Sequence, residues 1–196
     1  VWPCPTGHAL TAPCRRPSPY LSLASVLPMF TLTPETPDDF FEVEYLFDHA
    51  FAPGRTALSS YRLRDGVAPV AGLSRLARDE GGVLGGAIRY WPIWIGDAAC
   101  LLLGPVAVHA TRQGEGLGAL LIEDSLAAAR AAGWQRVVLV GDAPYYRRFG
   151  FSVLPNVVFP PPTNAARVLA RALRPGALDG LNGKARPWTT VEHDRR

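Results

Sequence analysis

Cysteine is scarce in this 196-residue chain: Cys4, Cys14 and Cys100 are the three present, and no CxxC spacing occurs. An odd count without that spacing argues against a disulfide framework and against a zinc site, so a reducing, cytoplasmic setting without a metal is expected. Long apolar runs are also missing. Nothing approaches the roughly 20 apolar residues that a membrane-spanning helix requires. The stretch Tyr20 to Leu27 after Arg15-Arg16 faintly resembles a signal peptide, but Pro17, Pro19 and Pro28 interrupt it and no small-residue cleavage site follows. Neither secretion nor a membrane partner is expected. Basic runs with interleaved aromatics do not occur, and the formal net charge is only +3. That balance speaks against nucleic acid as partner and suits a small anionic ligand. The pairs Arg15-Arg16, Arg147-Arg148 and Arg195-Arg196 read as solvated surface.

What the chain does have is 48% hydrophobic content, enough for one well-buried domain. Residues 1–28 hold six prolines and no periodicity, and the single methionine, Met29, opens a regular pattern. The expected organisation is a disordered or mis-assigned N-terminal extension over 1–28, one domain over 29–175, and a weakly structured C-terminal tail over 176–196. Within the domain, Phe30-Thr31-Leu32 reads as a strand and Phe40 to Ala50 as a helix behind turn-forming residues 33–39. A less regular helix is expected over 54–63. Val67–Leu76 and Val83–Trp94 read as a hairpin around Asp79-Glu80-Gly81-Gly82. Ala98–Val108 reads as a central strand with a bulge or splay at Gly104-Pro105. A helix over 116–132 ends at Gly133, and Arg136–Val140 is a buried parallel strand, so residues 98–140 form one βαβ unit. A helical turn at 143–148, a strand at 149–153, a proline-rich loop at 155–162 and a strand at 167–173 complete the expectation. Cys100 lies in an apolar run as a small buried thiol.

The loop Gln113-Gly114-Glu115-Gly116-Leu117-Gly118 carries the chemistry. Glycines at 114, 116 and 118 remove side chains where backbone amides must face an anion, and the following helix adds its partial positive charge. The pattern predicts a phosphate cradle. A Walker loop is excluded because no Gly-Lys-Ser/Thr is present. The relaxed dinucleotide fingerprint remains a rival, with Gly114-x-Gly116-x-x-Ala119 and Asp142 at the end of the next strand. Against it, five residues separate the strand from the glycines, and a single βαβ unit sits late in the chain.

Two segments together carry a family resemblance. Val106-Ala107-Val108-His109-Ala110-Thr111-Arg112-Gln113-Gly114-Glu115-Gly116-Leu117-Gly118 resembles the acetyl-CoA motif of GNAT-superfamily N-acetyltransferases, Gln/Arg-x-x-Gly-x-Gly/Ala. Tyr145-Tyr146-Arg147-Arg148-Phe149-Gly150-Phe151 resembles the second signature, an aromatic before Gly-Phe. The form of residues 141–151 is similar to the bacterial YhbS-like predicted acetyltransferase branch.

The resemblance covers about 29–173 and implies the α/β (α+β) GNAT fold: a mixed central sheet of about six to seven strands flanked by helices, with central parallel strands splayed apart. It implies acetyl-CoA as co-substrate, bound by Val106, Ala107 and Val108 along the pantetheine arm. Gln113, Gly114, Glu115, Gly116, Leu117 and Gly118 take the pyrophosphate. It implies direct acetyl transfer in a ternary complex to a primary amine of a small molecule or peptide, in a monomer or homodimer. Tyr146 matches the family's proton donor to the departing thiolate and also touches the cofactor, with Tyr145 its obvious confounder.

Two departures stand out. The central strand reads Leu101-Leu102-Leu103 where some members carry glutamate, leaving Glu44, Asp48, His49, Glu80 and His109 as candidate bases. Glu115 stands where the family often has Arg or Lys, with Arg112, Arg147 or Arg148 as compensating cations. These departures keep open a non-catalytic acyl-CoA-binding regulatory module on the same fold, and the relaxed glycine fingerprint keeps open a dinucleotide-binding protein. Tyr90, Trp91 and Trp94 read either as cleft walls or as packing.

Overall fold

The computed structural model describes residues 30–51 and 54–189. The expectations for residues 1–28, including Cys4, Cys14 and Arg15-Arg16, concern residues outside these ranges, as does that for Arg195-Arg196. In chain order the elements are β1 (Thr31–Pro34), α1 (Phe40–Phe51), β2 (Arg75–Arg78), β3 (Leu84–Ile95), β4 (Ala98–Val108), α2 (Leu117–Ala131) and β5 (Arg136–Val140). There follow α3 (Ala143–Arg147), β6 (Ser152–Val153), β7 (Val157–Val158), β8 (Val168–Ala172) and β9 (Gly183–Pro187). The sheet runs β1-β2-β3-β4-β5-β8-β6, and β9 pairs with both β3 and β7. The fold is the expected mixed α/β sheet, with nine strands among the described residues where six to seven were predicted.

The extra strands are short. β9 overturns the expected weak structure beyond Pro175: it pairs antiparallel with β3 through Ile93↔Pro187, Trp94↔Arg186 and Ile95↔Ala185. β2 occupies the first half of that β3 edge, so β9 takes the half left over. Trp188 just beyond stacks on Trp94 with centroids 4.4 Å apart, pinning the segment. The predicted strand over 67–76 also shrinks. Only Arg75–Arg78 is strand, because Gly72 turns at φ +77 and the residues before it run as turn and coil. Over 54–63 the chain forms two 3-10 turns, Arg55–Ala57 and Ser59–Leu63.

Side-chain alternation covers the central strands on both faces. Ile88 and Tyr90 of β3, Leu101 and Leu103 of β4, and Val137 and Leu139 of β5 pack against Leu117, Leu121, Ile122 and Leu126 of α2. Their neighbours Trp91, Ile93, Cys100, Leu102 and Val138 face the opposite side with Leu63 and Phe159. Val43, Leu46 and Phe47 of α1 close that side over Leu76, Ala87 and Ala107. Cys100 is the buried thiol expected, and burial pushes its pKa up to about 11. Leu120 lies opposite the buried stripe of α2 and is exposed.

α2 ends as predicted. Gly133 adopts φ +87, its N–H donates to Arg130 O and the Trp134 N–H donates to Ala129 O, the paired bonds of a Schellman motif.

Candidate active site

β4 and β5 are parallel neighbours, but their register pairing is limited to Leu101↔Val137 and Leu102↔Val138. Past Leu103 the strands part. On the other side β4 stays paired to β3, where Ile88↔Val106 and Tyr90↔Leu103 leave Arg89 opposite two β4 residues. The extra residue is accommodated at Gly104-Pro105, with Gly104 at φ +117, where a residue with a side chain would be strained. Pro105 has no N–H to offer a neighbouring strand. Sequence reading placed the splay at this dipeptide, and the register agrees.

A cavity of about 220 Å³ fills the opening. Leu103, Gly104, Pro105 and Val106 line it from β4, and Leu139, Val140, Gly141, Asp142 and Tyr146 from β5 and α3. Phe51 at the end of α1 and Leu58, Ser60, Tyr61 and Arg64 from the segment after it close the cavity, with Arg167 just before β8.

At the C-terminal end of β4 the chain passes through a 3-10 turn, Ala110–Arg112, and reaches the glycine loop. Gly114 and Gly116 both hold positive φ, +88 and +83, and a Cβ on either would meet no other atom. Backbone conformation, not crowding, selects glycine there. Gly118 differs: its Cβ would stand 3.0 Å from the Tyr145 hydroxyl. Gly116 begins α2 without a side-chain cap, so the first amides of a 15-residue helix face outward without an intrahelical acceptor. Leu117 is buried and anchors the turn, while Gln113, Gly114 and Gly116 are exposed. These groups can receive an anionic ligand.

Glu115 does not point freely to solvent. Its Oε2 is buried without a hydrogen-bond partner, and its Oε1 lies 3.9 Å from Arg112 Nη1. Arg112 is held more closely by Asp79, at 2.6 Å. The expected compensation by Arg112 is therefore weak. Arg148 stacks on the Tyr145 ring at 4.1 Å, and neither it nor Arg147 lines the cavity.

The two tyrosines of the second motif separate in space. Tyr145 reaches the α2 start beside Gly118, whereas Tyr146 lines the splay cavity. Gly150 explains the motif's glycine. At φ +75 it ends α3, with its own N–H donating to Arg147 O and the Phe151 N–H donating to Tyr146 O. Phe149 and Phe151 are buried on either side and fix α3 to the core, with the Phe151 ring edge-on to Tyr146 at 5.9 Å. Gly141 leaves room for the Tyr146 ring, since a Cβ there would stand 2.5 Å from Tyr146 Cε2. Burial pushes the Tyr146 hydroxyl up to about 12, with the neighbouring Tyr145 adding to the effect and Arg167 opposing it. It keeps its proton at neutral pH.

None of the candidate bases lines the cavity. Glu44 accepts from Arg55 and Arg89, and Asp48 accepts from Arg55. Burial works to raise the Glu44 carboxyl, but the two guanidinium hydrogen bonds hold it below its ordinary value. His49 packs on Tyr45, His109 accepts from the Thr111 amide, and Glu80 sits in the β2–β3 turn. Among the described residues, the one carboxylate on the cavity wall is Asp142, the N-cap of α3. Sequence reasoning missed Arg64, Tyr61 and Arg167 as cavity residues, and no local pattern distinguishes them. Tyr90 is fully buried, its hydroxyl 2.9 Å from Ser125 Oγ, and Trp91 donates to Val67 O, so both are packing residues.

Among the described residues no group of His, Cys, Asp and Glu is placed to hold a metal, and no helix is long and apolar enough to cross a membrane.

Residues 73–153 match the family model described as Acetyltransferase (GNAT) domain. The chain is 28% identical over 127 residues to the uncharacterized N-acetyltransferase YhbS of Escherichia coli K12, covering 61% of this chain and 71% of that protein. The Escherichia coli YhbS structure in complex with CoA superposes with a TM-score of 0.71 at 24% identity, covering 82% of this chain and 91% of that one. A GNAT family acetyltransferase from Brucella melitensis, solved with acetyl-CoA, gives a TM-score of 0.63 at 30% identity, covering 83% of this chain and 97% of that one. That extent of likeness, with the family match spanning β4, the glycine loop, α2 and the tyrosine segment, shows that this chain belongs to the GNAT acetyltransferase family.

Proposed function

We propose that the chain is an acetyl-CoA-dependent N-acetyltransferase that acetylates a primary amine of a small molecule or peptide by direct transfer in a ternary complex. The observation that carries this reading is that one strand, β4, ends in the glycine loop and also borders the splay cavity that Tyr146 lines. A ligand with a pyrophosphate at one end and a thin reactive arm at the other matches that layout. The relatives solved with CoA and acetyl-CoA support the same choice over a dinucleotide.

In this reading the backbone amides of Gln113, Gly114, Glu115, Gly116, Leu117 and Gly118 take the pyrophosphate. The β4 edge at Val106, Ala107 and Val108, left without a β5 partner, pairs with the pantetheine arm. Acetyl-CoA supplies the thioester: its carbonyl carbon bonds to the amine nitrogen as its bond to sulfur breaks. Tyr146 gives its phenolic proton to the departing sulfur. A hydroxyl held neutral by burial is suited to that role, and general acids of this kind contribute typically 10²–10⁴-fold in rate. Asp142 is the wall carboxylate available to receive the proton that the nitrogen loses, directly or through water.

Thiol release across a panel of primary amines, with Tyr146→Phe as control, tests the reading. Turnover on at least one amine that falls about 100-fold in the variant is the expected result. Undiminished turnover in the variant removes Tyr146 from the chemistry.

A second reading, a regulatory module that holds an acyl-CoA without turnover, has one observation in its favour. The carboxylates Glu44 and Asp48 are tied up in ion pairs, and β4 offers only Leu101, Leu102 and Leu103. Acetyl-CoA binding with no thiol release on any amine would decide for it.

A further inference from the structure

Arg64 is a buried cation that no carboxylate among the described residues pairs with. Its side chain is 9% exposed, it lines the splay cavity, and its Nε and Nη1 have no hydrogen-bond partner. Its Nη2 approaches Gly104, where a Cβ would stand 3.8 Å away, so the guanidinium sits where β4 begins to leave β5. Asp142 shares the cavity wall but forms no ion pair with Arg64 among the described residues, and the carboxylates of α1 and the segment before it are committed elsewhere. Glu35 and Glu44 bind Arg89, and Glu44 and Asp48 bind Arg55. What Arg64 does have is aromatic support, with its guanidinium carbon 4.2 Å from the Tyr61 ring centre and 4.6 Å from that of Trp91. Stacking steadies the cation and fixes its plane, but it leaves in-plane N–H donors unmet. Burial lowers its pKa to about 10, the Tyr61 hydroxyl opposing that shift and Arg55 and Arg89 adding to it, so it is still charged at neutral pH.

Resting on the acetyltransferase reading above, we propose that Arg64 determines acceptor specificity: the amine that enters the cavity carries a carboxylate, which the planar Arg64 fork receives. The cofactor's own anions belong elsewhere. Four residues of extended strand, about 13 Å, separate Gly104 from Val108, and the glycine loop lies beyond that. An anion at Arg64 therefore comes from the other substrate. A carboxylate matches the two parallel donors of a guanidinium better than it matches a point charge, so lysine is a poor substitute. Phe51, Leu58 and Pro105 supply an apolar part of the wall, beside the polar Ser60, Asp142 and Arg167. Together these features select a small amine that pairs an apolar body with one carboxylate.

The test uses the full chain and calorimetry. N-acetylglycine and N-acetylphenylalanine, as products, are each compared with their neutral carboxamides, on protein saturated with CoA and on protein alone. CoA is titrated separately. The expected result is at least tenfold tighter binding of the acids to the CoA-loaded protein. That preference disappears in Arg64→Met and returns only in part in Arg64→Lys. Equal affinity of acids and amides, binding of neither, or a preference that survives Arg64→Met each overturns the assignment. The wild-type comparison stands alone should Arg64→Met fold poorly. Loss of CoA binding itself would instead overturn the acetyltransferase reading, so the two failures are distinguishable.

Discussion

Gly141→Ala adds one methyl group at the narrowest point behind the proposed proton donor. The new Cβ would stand 2.5 Å from Tyr146 Cε2, 2.9 Å from Cδ2 and 2.8 Å from Leu139 Cδ1. Carbon atoms pack at about 3.5–4.0 Å, so something must yield by about 1 Å. The backbone is held: the Gly141 N–H donates to Arg167 O at 2.9 Å, and its carbonyl accepts from Arg167 Nε at 3.3 Å. Leu139 is packed in the core among β-strand neighbours. The half-buried Tyr146 ring is what moves. Overpacking of this kind costs about 1–3 kcal/mol, or a few to about 10 °C in melting temperature for a domain of this size. A displacement of about 1 Å in a catalytic group costs on the order of 100-fold in rate. The expected outcome is kcat for thiol release down about 100-fold, KM for acetyl-CoA changed less than about threefold, and a folded protein by circular dichroism. Gly81→Ala, where the new Cβ would meet only Asp79 at 3.4 Å, is the matched control and should be neutral. Wild-type kcat and melting temperature in Gly141→Ala would refute the placement of the Tyr146 ring.

Tyr146→Phe should lower kcat about 100-fold while Tyr145→Phe, whose hydroxyl lies beside Gly118 outside the cavity, should change it less than about threefold. Equal losses would show that the two tyrosines are not divided as described. Asp142→Asn should lower kcat at least about tenfold while KM for acetyl-CoA changes less than about threefold; an unchanged kcat would remove it from proton transfer. Stability should respond to acid through Glu44, whose folded-state pKa lies below its ordinary 4.5. The contribution of a lowered carboxylate is fully present above pH 4.5 and lost as pH falls through the folded value, so urea midpoints should be flat from pH 7 to about 5 and decline below that. A flat profile to pH 3 in wild type would mean that the Arg55 and Arg89 pairs do not hold Glu44 in solution.

Much of the site was legible because its chemistry depends on backbone. Gly114 and Gly116 are glycine for their φ values, Gly150 and Gly133 for helix termination, and Gly104-Pro105 for the bulge, and each leaves a mark in sequence without any knowledge of neighbours. β9 left none. Five residues that join by backbone pairing, three at a free half-edge of β3 and two along β7, need no hydrophobic period. Residues 67–73 misled in the other direction, since Val67, Val70 and Leu73 pack as turn residues against β3 and the core without forming a strand. Arg64 was invisible because its meaning is tertiary. Arg62 and Arg64 look alike along the chain, and only the folding of 59–64 beneath Trp91 buries one of them against the cavity. The division between Tyr145 and Tyr146 likewise needed the three-dimensional placement of Gly118 and Gly141.

The central claim is that the β4 splay and the 113–118 loop together bind acetyl-CoA. Calorimetric titration of the full chain with acetyl-CoA, and in parallel with NAD, tests it most directly. One acetyl-CoA per chain, without measurable NAD binding, is the predicted result; NAD binding in the absence of acetyl-CoA binding would contradict it.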